Sequence, residues 1–154
     1  MNEQEVEKII REYIPQVVHM SLATSVQDKP WVCEVHFAYD DELNLYFRSD
    51  STRRHCQELE ENPNVAGNIV TQHFKNQRVR GVYFEGKAQR LDQVDESHPA
   101  YKATADRYGA ASTIQATEAE EGPRYYKITV TDWYLFDSYK DPAQKYHLQW
   151  KSVV

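Results

Sequence analysis

The stretch from Leu43 to Val65, LNLYFRSDSTRRHCQELEENPNV, constrains the fold more than any other part of the chain. Leu43-Asn44-Leu45-Tyr46-Phe47 has the apolar and aromatic character of a short strand. Arg48-Ser49-Asp50-Ser51 reads as a polar turn, and Thr52 then heads a helix running to Glu61. Asn62-Pro63 stops that helix, because the residue before a proline is pushed out of the helical region. A first helical turn carries free backbone N–H groups and the positive end of the dipole. Arg48, Arg53 and Arg54 gather there, and guanidinium groups grip phosphate oxygens in a bidentate fork. The stretch therefore reads as a phosphate clamp. The competing reading is ordinary surface charge, since Glu58, Glu60 and Glu61 follow about one turn later. Helix stability does not account for the arginines, because cations in the first turn oppose the dipole.

Net charge and composition narrow the ligand. The 154 residues suit a single domain spanning 1–154, with 40% hydrophobic and 27% charged residues, as in a soluble globular protein. No apolar run approaches the roughly 20 residues needed to span a bilayer. The opening MNEQEVEKII is acidic and polar, unlike a signal or transit peptide, so a cytoplasmic location is expected. The net charge of −6 argues against bulk nucleic-acid binding. Two basic clusters, Arg48/Arg53/Arg54 and Lys75/Arg78/Arg80, suit a small anionic ligand better than a polymer. Cys33 and Cys56 form no CxxC pair, which indicates neither a zinc nor a redox motif. They are expected reduced and partly buried, with a reactive role for Cys56 near the arginines as the lesser reading.

The remaining elements follow in order. Asn2 and Glu5 have capping-box spacing, and Val6, Ile9, Ile10 and Tyr13 share a helical face that ends at Pro15. This helix is expected across an end of the barrel. Strands are expected at 17–24, 31–39, 43–47, 65–71, 79–91 and 125–139. In the second, Trp31, Cys33, Val35 and Phe37 alternate with Val32, Glu34, His36 and Ala38. Gly81 and Gly86 inside the fifth strand suggest bends, bulges or close approach. A helix capped by Asp95 or Ser97 runs to Tyr108, with Pro99 in its first turn, and 110–122 reads as a loop or weak helix. Six strands and about three helices give a mainly β, antiparallel barrel with flanking helices.

Several motifs in this order resemble the flavin-binding split barrel of the pyridoxamine 5'-phosphate oxidase superfamily. The strand ending in Tyr46-Phe47, the polar turn, Thr52-Arg53-Arg54 and Asn62-Pro63-Asn64-Val65 carry the resemblance. His19-Met20-Ser21-Leu22-Ala23-Thr24, Lys29-Pro30-Trp31-Val32 and Arg80-Gly81-Val82-Tyr83-Phe84-Glu85-Gly86-Lys87-Ala88 agree with it. It covers roughly residues 17 to 91 and is similar above all to the small uncharacterised members. It implies a six-stranded antiparallel split β-barrel, a homodimer with sites at the interface, and flavin mononucleotide (FMN) as cofactor. Arg53 and Arg54 match the basic pair on the FMN phosphate, Thr52 the hydroxyl residue before them, and Phe47 and Arg48 the strand-end positions that touch the flavin. Glu34, Val35, His36 and Phe37 match the strand along the isoalloxazine ring, where the oxidase carries a lysine that this chain lacks. Arg80 matches a polar contact from the second subunit, and His55 adjoins the clamp. Lys145-Tyr146-His147 is loosely similar to a substrate-phosphate segment of the oxidase.

The function this implies is a flavin-dependent oxidoreductase acting on an unspecified small molecule. The alternatives are a flavin-binding or sensing protein without turnover, a split barrel using a deazaflavin or haem, and a vestigial site in a structural module. The histidines show no HxH or HxxxH spacing, so no metal site is expected.

Overall fold

The computed structural model describes residues 1–109, 123–139 and 142–150. Helix α1 (Glu3–Tyr13) is followed by a short 3-10 turn (Ile14–Gln16), then strands β1 (His19–Val26), β2 (Lys29–His36), β3 (Ala38–Tyr39) and β4 (Leu45–Asp50). Helix α2 (Arg54–Glu61) leads to β5 (Asn64–Ile69) and β6 (Arg80–Leu91). Helix α3 (Pro99–Tyr108) and strands β7 (Pro123–Asp137) and β8 (Gln144–Gln149) complete the described chain. The sheet has eight strands, all neighbours antiparallel, in the order β2-β1-β5-β6-β7-β4-β3, with β8 also on β7. No described helix is long and apolar enough to cross a membrane.

The expected split barrel is present, with two more strands than the six expected. One comes from the chain bending at Phe37. The run 31–39 was expected as one strand, but Lys29–His36 pairs with β1 while Ala38 and Tyr39 pair with Tyr46 and Leu45 of β4. The other is β8, in a tail whose alternation is masked by polar residues. Only Leu148 of that strand is buried. β7 has length enough to hold β4 along 123–128 and β8 along 132–137 on the same edge. Residues 110–122, expected as a loop or weak helix, lie outside the described residues.

Side-chain hydrogen bonds set the element boundaries. β1 and β2 meet in a two-residue turn with Gln27 and Asp28 at φ 53° and 61°, the geometry of a tight twisted hairpin. Leu43, expected in a strand, is instead buried in a turn at φ 59°. Asp40 holds that turn: its carboxylate accepts from the Glu42 and Asn44 backbone N–H groups and from the Tyr46 hydroxyl at 2.8 Å. Arg48, Ser49 and Asp50, expected as a turn, extend β4 against Tyr125, Arg124 and Pro123. Asp50 Oδ1 then takes both the N–H and hydroxyl of Thr52, which delays the helix so that Arg53 rather than Thr52 is the N-cap. In α3 the cap is His98, whose Nδ1 accepts from the Ala100 N–H at 3.0 Å, while Asp95 serves the turn before it.

The core fills the curl of the sheet. Met20, Leu22, Phe37, Leu45, Phe47, Val82, Phe84, Ile128, Trp133 and Leu135 are each at most 3% exposed. α1 closes one end with Val6, Ile10 and Tyr13, its capping box formed in both directions. The Tyr13 hydroxyl donates to the Arg80 carbonyl and accepts from the Thr71 N–H, both at 2.8 Å. Gly86 sits at the bulge where the β6–β7 register shifts, with the Thr129 carbonyl 2.5 Å from where a Cβ would stand. A second cluster, including Ala38, Tyr46, Ala100, Ala103 and Tyr125, seats α3 on β3 and β4.

Candidate functional site

β2 and β4 diverge from the Ala38–Tyr46 pair, where β3 joins them, and the wedge between them is the split in the barrel. A cavity of about 570 Å³ fills this wedge. One wall runs from Glu34 of β2 through Phe37 to Ala38 of β3, and the other is Tyr46 to Ser49 of β4. Arg53, the N-cap of α2, and His55 of its first turn line one end, and Thr104 and Tyr108 of α3 line the other. Tyr108 is fixed there, donating to the Phe37 carbonyl at 2.5 Å and stacking on His36 with ring centroids 6.1 Å apart.

The end at Arg53 gathers cations around a helix N-terminus. The N-terminus of α2 has no side-chain cap and no acidic residue in its first turn, so its N–H groups point outward unclaimed by a carboxylate. Arg48 and Arg53 are exposed and form no ion pair with a described residue. His55 is only 9% exposed, and its Nε2 has no hydrogen-bond partner among the described residues. Burial, and then the Arg53 charge, hold its imidazole below the usual histidine range. A buried ring nitrogen with no partner among the described residues, beside exposed guanidinium groups and an uncapped helix, is suited to an acceptor of hydrogen bonds.

Of the residues expected at the site, Glu34, Val35, His36, Phe37, Phe47, Arg48, Arg53 and His55 come together around the cavity. Thr52 and Arg54 do not line it. They face a separate groove with Lys29, Gln57, Glu58 and Glu61. Arg54 pairs with Glu58 at 2.7 Å and lies over the Trp31 ring at 4.1 Å. Arg80 does not line the cavity within one chain. It pairs with the buried Asp137 at 3.3 Å and stacks over Tyr139 at 4.8 Å. Glu34, where the oxidase carries lysine, places a carboxylate on the wall and accepts from the Ser21 hydroxyl.

Ala38, Tyr46, Ser49, Thr104 and Tyr108 line the cavity without having been expected there. Thr104 and Tyr108 share a helical face at i, i+4 spacing, but no local signal says that this face meets the split. Burial pushes the thiol of buried Cys56 up, and it pushes that of half-buried Cys33 up to about 11. Both are therefore protonated near neutral pH, and neither has the marks of a reactive thiolate. His147 of β8 bonds Asp132 at 2.7 Å and stacks on Tyr134, away from this cavity.

Residues 6–137 match the family model described as pyridoxamine 5'-phosphate oxidase. A UPF0306 protein of Photorhabdus laumondii is 29% identical over 93 residues, which is 60% of this chain and 65%, just under two thirds, of that relative. Among solved structures, a FAD-binding protein from Mesorhizobium loti superposes with a TM-score of 0.62 at 17% identity, over 88% of this chain and 92% of the other. A haem-binding protein from Mycobacterium smegmatis superposes with a TM-score of 0.69 at 18% identity, over 89% of this chain and 55% of the other. At these identities the two structures establish a shared fold.

Proposed function

This chain belongs to the pyridoxamine 5'-phosphate oxidase family, and we propose that it is an FMN-binding oxidoreductase. The observation that carries the reading is the presence around one cavity of Arg48, Arg53, the uncapped α2 N-terminus and His55, whose Nε2 has no partner among the described residues. A phosphate monoester ending a cofactor fits this end, where charge-assisted hydrogen bonds replace lost solvation. The cavity volume is in the range of small-molecule sites.

Bound FMN would supply two-electron redox chemistry. The protein's part is to bind and orient. Arg48, Arg53 and His55 hold the phosphate end, β2 from Glu34 to Phe37 offers its open edge to the ring, and Tyr108 and Thr104 limit the far end. Arg54 supports this arrangement from outside by tying α2 to Trp31 of β2. Exposed Trp31 and Val32 on the edge strand, 39% and 61% accessible, support assembly as a homodimer. The acidic, polar chain supports action on a small molecule in the cytoplasm.

Comparing FMN with riboflavin by quenching of flavin fluorescence tests the reading. FMN is expected to bind at least about 100-fold more tightly, since riboflavin lacks the phosphate. Equal affinities would contradict the anion site. A haem reading is favoured by one observation: His36 lines the cavity with an imidazole that makes no hydrogen bond to a described residue, so a ring nitrogen is available to an iron.

A further inference from the structure

His19 and His36 face each other directly across the β1–β2 ladder. Their ring centroids are 4.4 Å apart, with the planes at 61°. Both are exposed, and neither imidazole hydrogen-bonds a described residue. Three of the other four histidines differ in environment: His98 spends Nδ1 on a helix cap, His147 is bonded to Asp132, and His55 is buried, while His73 has no histidine facing it across a ladder. The sequence shows no ligand spacing, because the pair is made by strand register and not by proximity along the chain.

We propose that His19 and His36 form a two-imidazole chelate for a late first-row divalent ion, with Cu²⁺ held most tightly. Imidazole is a borderline ligand, and affinity in an unstrained nitrogen site rises to a maximum at copper. With metal–nitrogen distances of about 2.0 Å, two imidazoles bound at about 90° place their ring centres roughly four and a half ångströms apart. The observed separation of ring centres matches that arrangement, and side-chain rotation would turn the ring nitrogens toward a shared ion. The ladder fixes both Cα positions, so chelation orders only the side-chain torsions of two residues.

No group of three or more His, Cys, Asp or Glu side chains converges on a metal position among the described residues. The ion would therefore keep open coordination positions for water or a small donor ligand. Those positions lie at a boundary. His36 lines the cavity in the split, and His19 lines an adjoining cleft with Ser21, Glu34, Asn68 and Thr71. Glu34 borders both hollows. The chelate stands on strand register and does not depend on the flavin reading.

Titration of the full chain with Cu²⁺ against a competing chelator, followed by electron paramagnetic resonance, tests the site. One equivalent is expected, with hyperfine structure from two equatorial imidazole nitrogens. His19→Gln and His36→Gln should each weaken uptake at least about tenfold, and His73→Gln should leave it unchanged. Circular dichroism checks that these surface variants fold. A wild-type spectrum without two imidazole nitrogens, uptake no greater than in the double variant, or a signal removed by His147→Gln would overturn the proposal.

Discussion

Arg54 lies over the Trp31 ring at 4.1 Å and pairs with Glu58 at 2.7 Å, while its neighbour Arg53 stands at the cavity with no ion pair among the described residues. Two adjacent arginines therefore do different work. Arg53→Gln is expected to weaken FMN binding about 10- to 100-fold, as loss of a charge-assisted hydrogen bond implies. Arg54→Gln is expected to change it less than about threefold and to cost at most about 1 kcal/mol of stability, since Arg54 is half exposed. Fluorescence titration and thermal melts separate the two effects, and equal losses of affinity would contradict the division.

The expectation of a clamp at Arg53 and Arg54 shows how far the sequence could be read. The strand, the helix and the cluster of cations were legible, because periodicity and the Asn62-Pro63 stop are local signals. Which arginine faces the cavity was not, because that depends on where α2 begins. Asp50 bears on it by capturing Thr52, a bond between residues only two apart that leaves Arg53 as the N-cap. The split itself was equally hidden. Phe37 carries the chain from β1's edge to β4, and alternation continues through the bend without interruption. β8 escaped because its strand buries only Leu148.

His55 couples cofactor binding to stability. Replacing it with Phe would remove the proposed hydrogen-bond donor to phosphate and also a buried nitrogen with no partner among the described residues. FMN affinity should fall about tenfold, while the cofactor-free protein should melt no lower than wild type. A large fall in melting temperature would show that the ring has a structural partner.

Acid should expose the same residue. His55 titrates at about 6.5 when unfolded and lower when folded. Above that value both states are neutral and its contribution is complete. As pH falls below it, the unfolded chain takes up the proton first, so stability declines until the folded value is reached. His98, also held low by burial, adds to the trend. Melts between about pH 7 and pH 5 should show a shallower decline for His55→Phe than for wild type, and parallel curves would contradict the assignment.

Gly67 tests the packing of the barrel. A Cβ there would stand 2.3 Å from the Ser21 carbonyl oxygen and 2.4 Å from the Phe84 ring. Backbone cannot yield cheaply, so Gly67→Ala is expected to cost about 1–3 kcal/mol or more. Chemical denaturation measures it, and a neutral result would mean that β1 and β5 are spaced more widely than described.

The hairpin offers a gain. Gln27 and Asp28 hold positive φ without glycine, whereas Asn-Gly fits that turn without strain. The double change Gln27→Asn, Asp28→Gly is expected to stabilise by up to about 1 kcal/mol, read as a higher melting temperature. A lower one would contradict the turn geometry.

The most direct measurement is the visible absorption spectrum of the purified protein before and after addition of FMN. A two-banded flavin spectrum, or stoichiometric uptake of added FMN that disappears in the Arg48→Gln, Arg53→Gln double variant, is the expected result. A protein that stays colourless in the presence of FMN, a haem Soret band, or full FMN uptake by the double variant would contradict the anion site as the seat of cofactor binding.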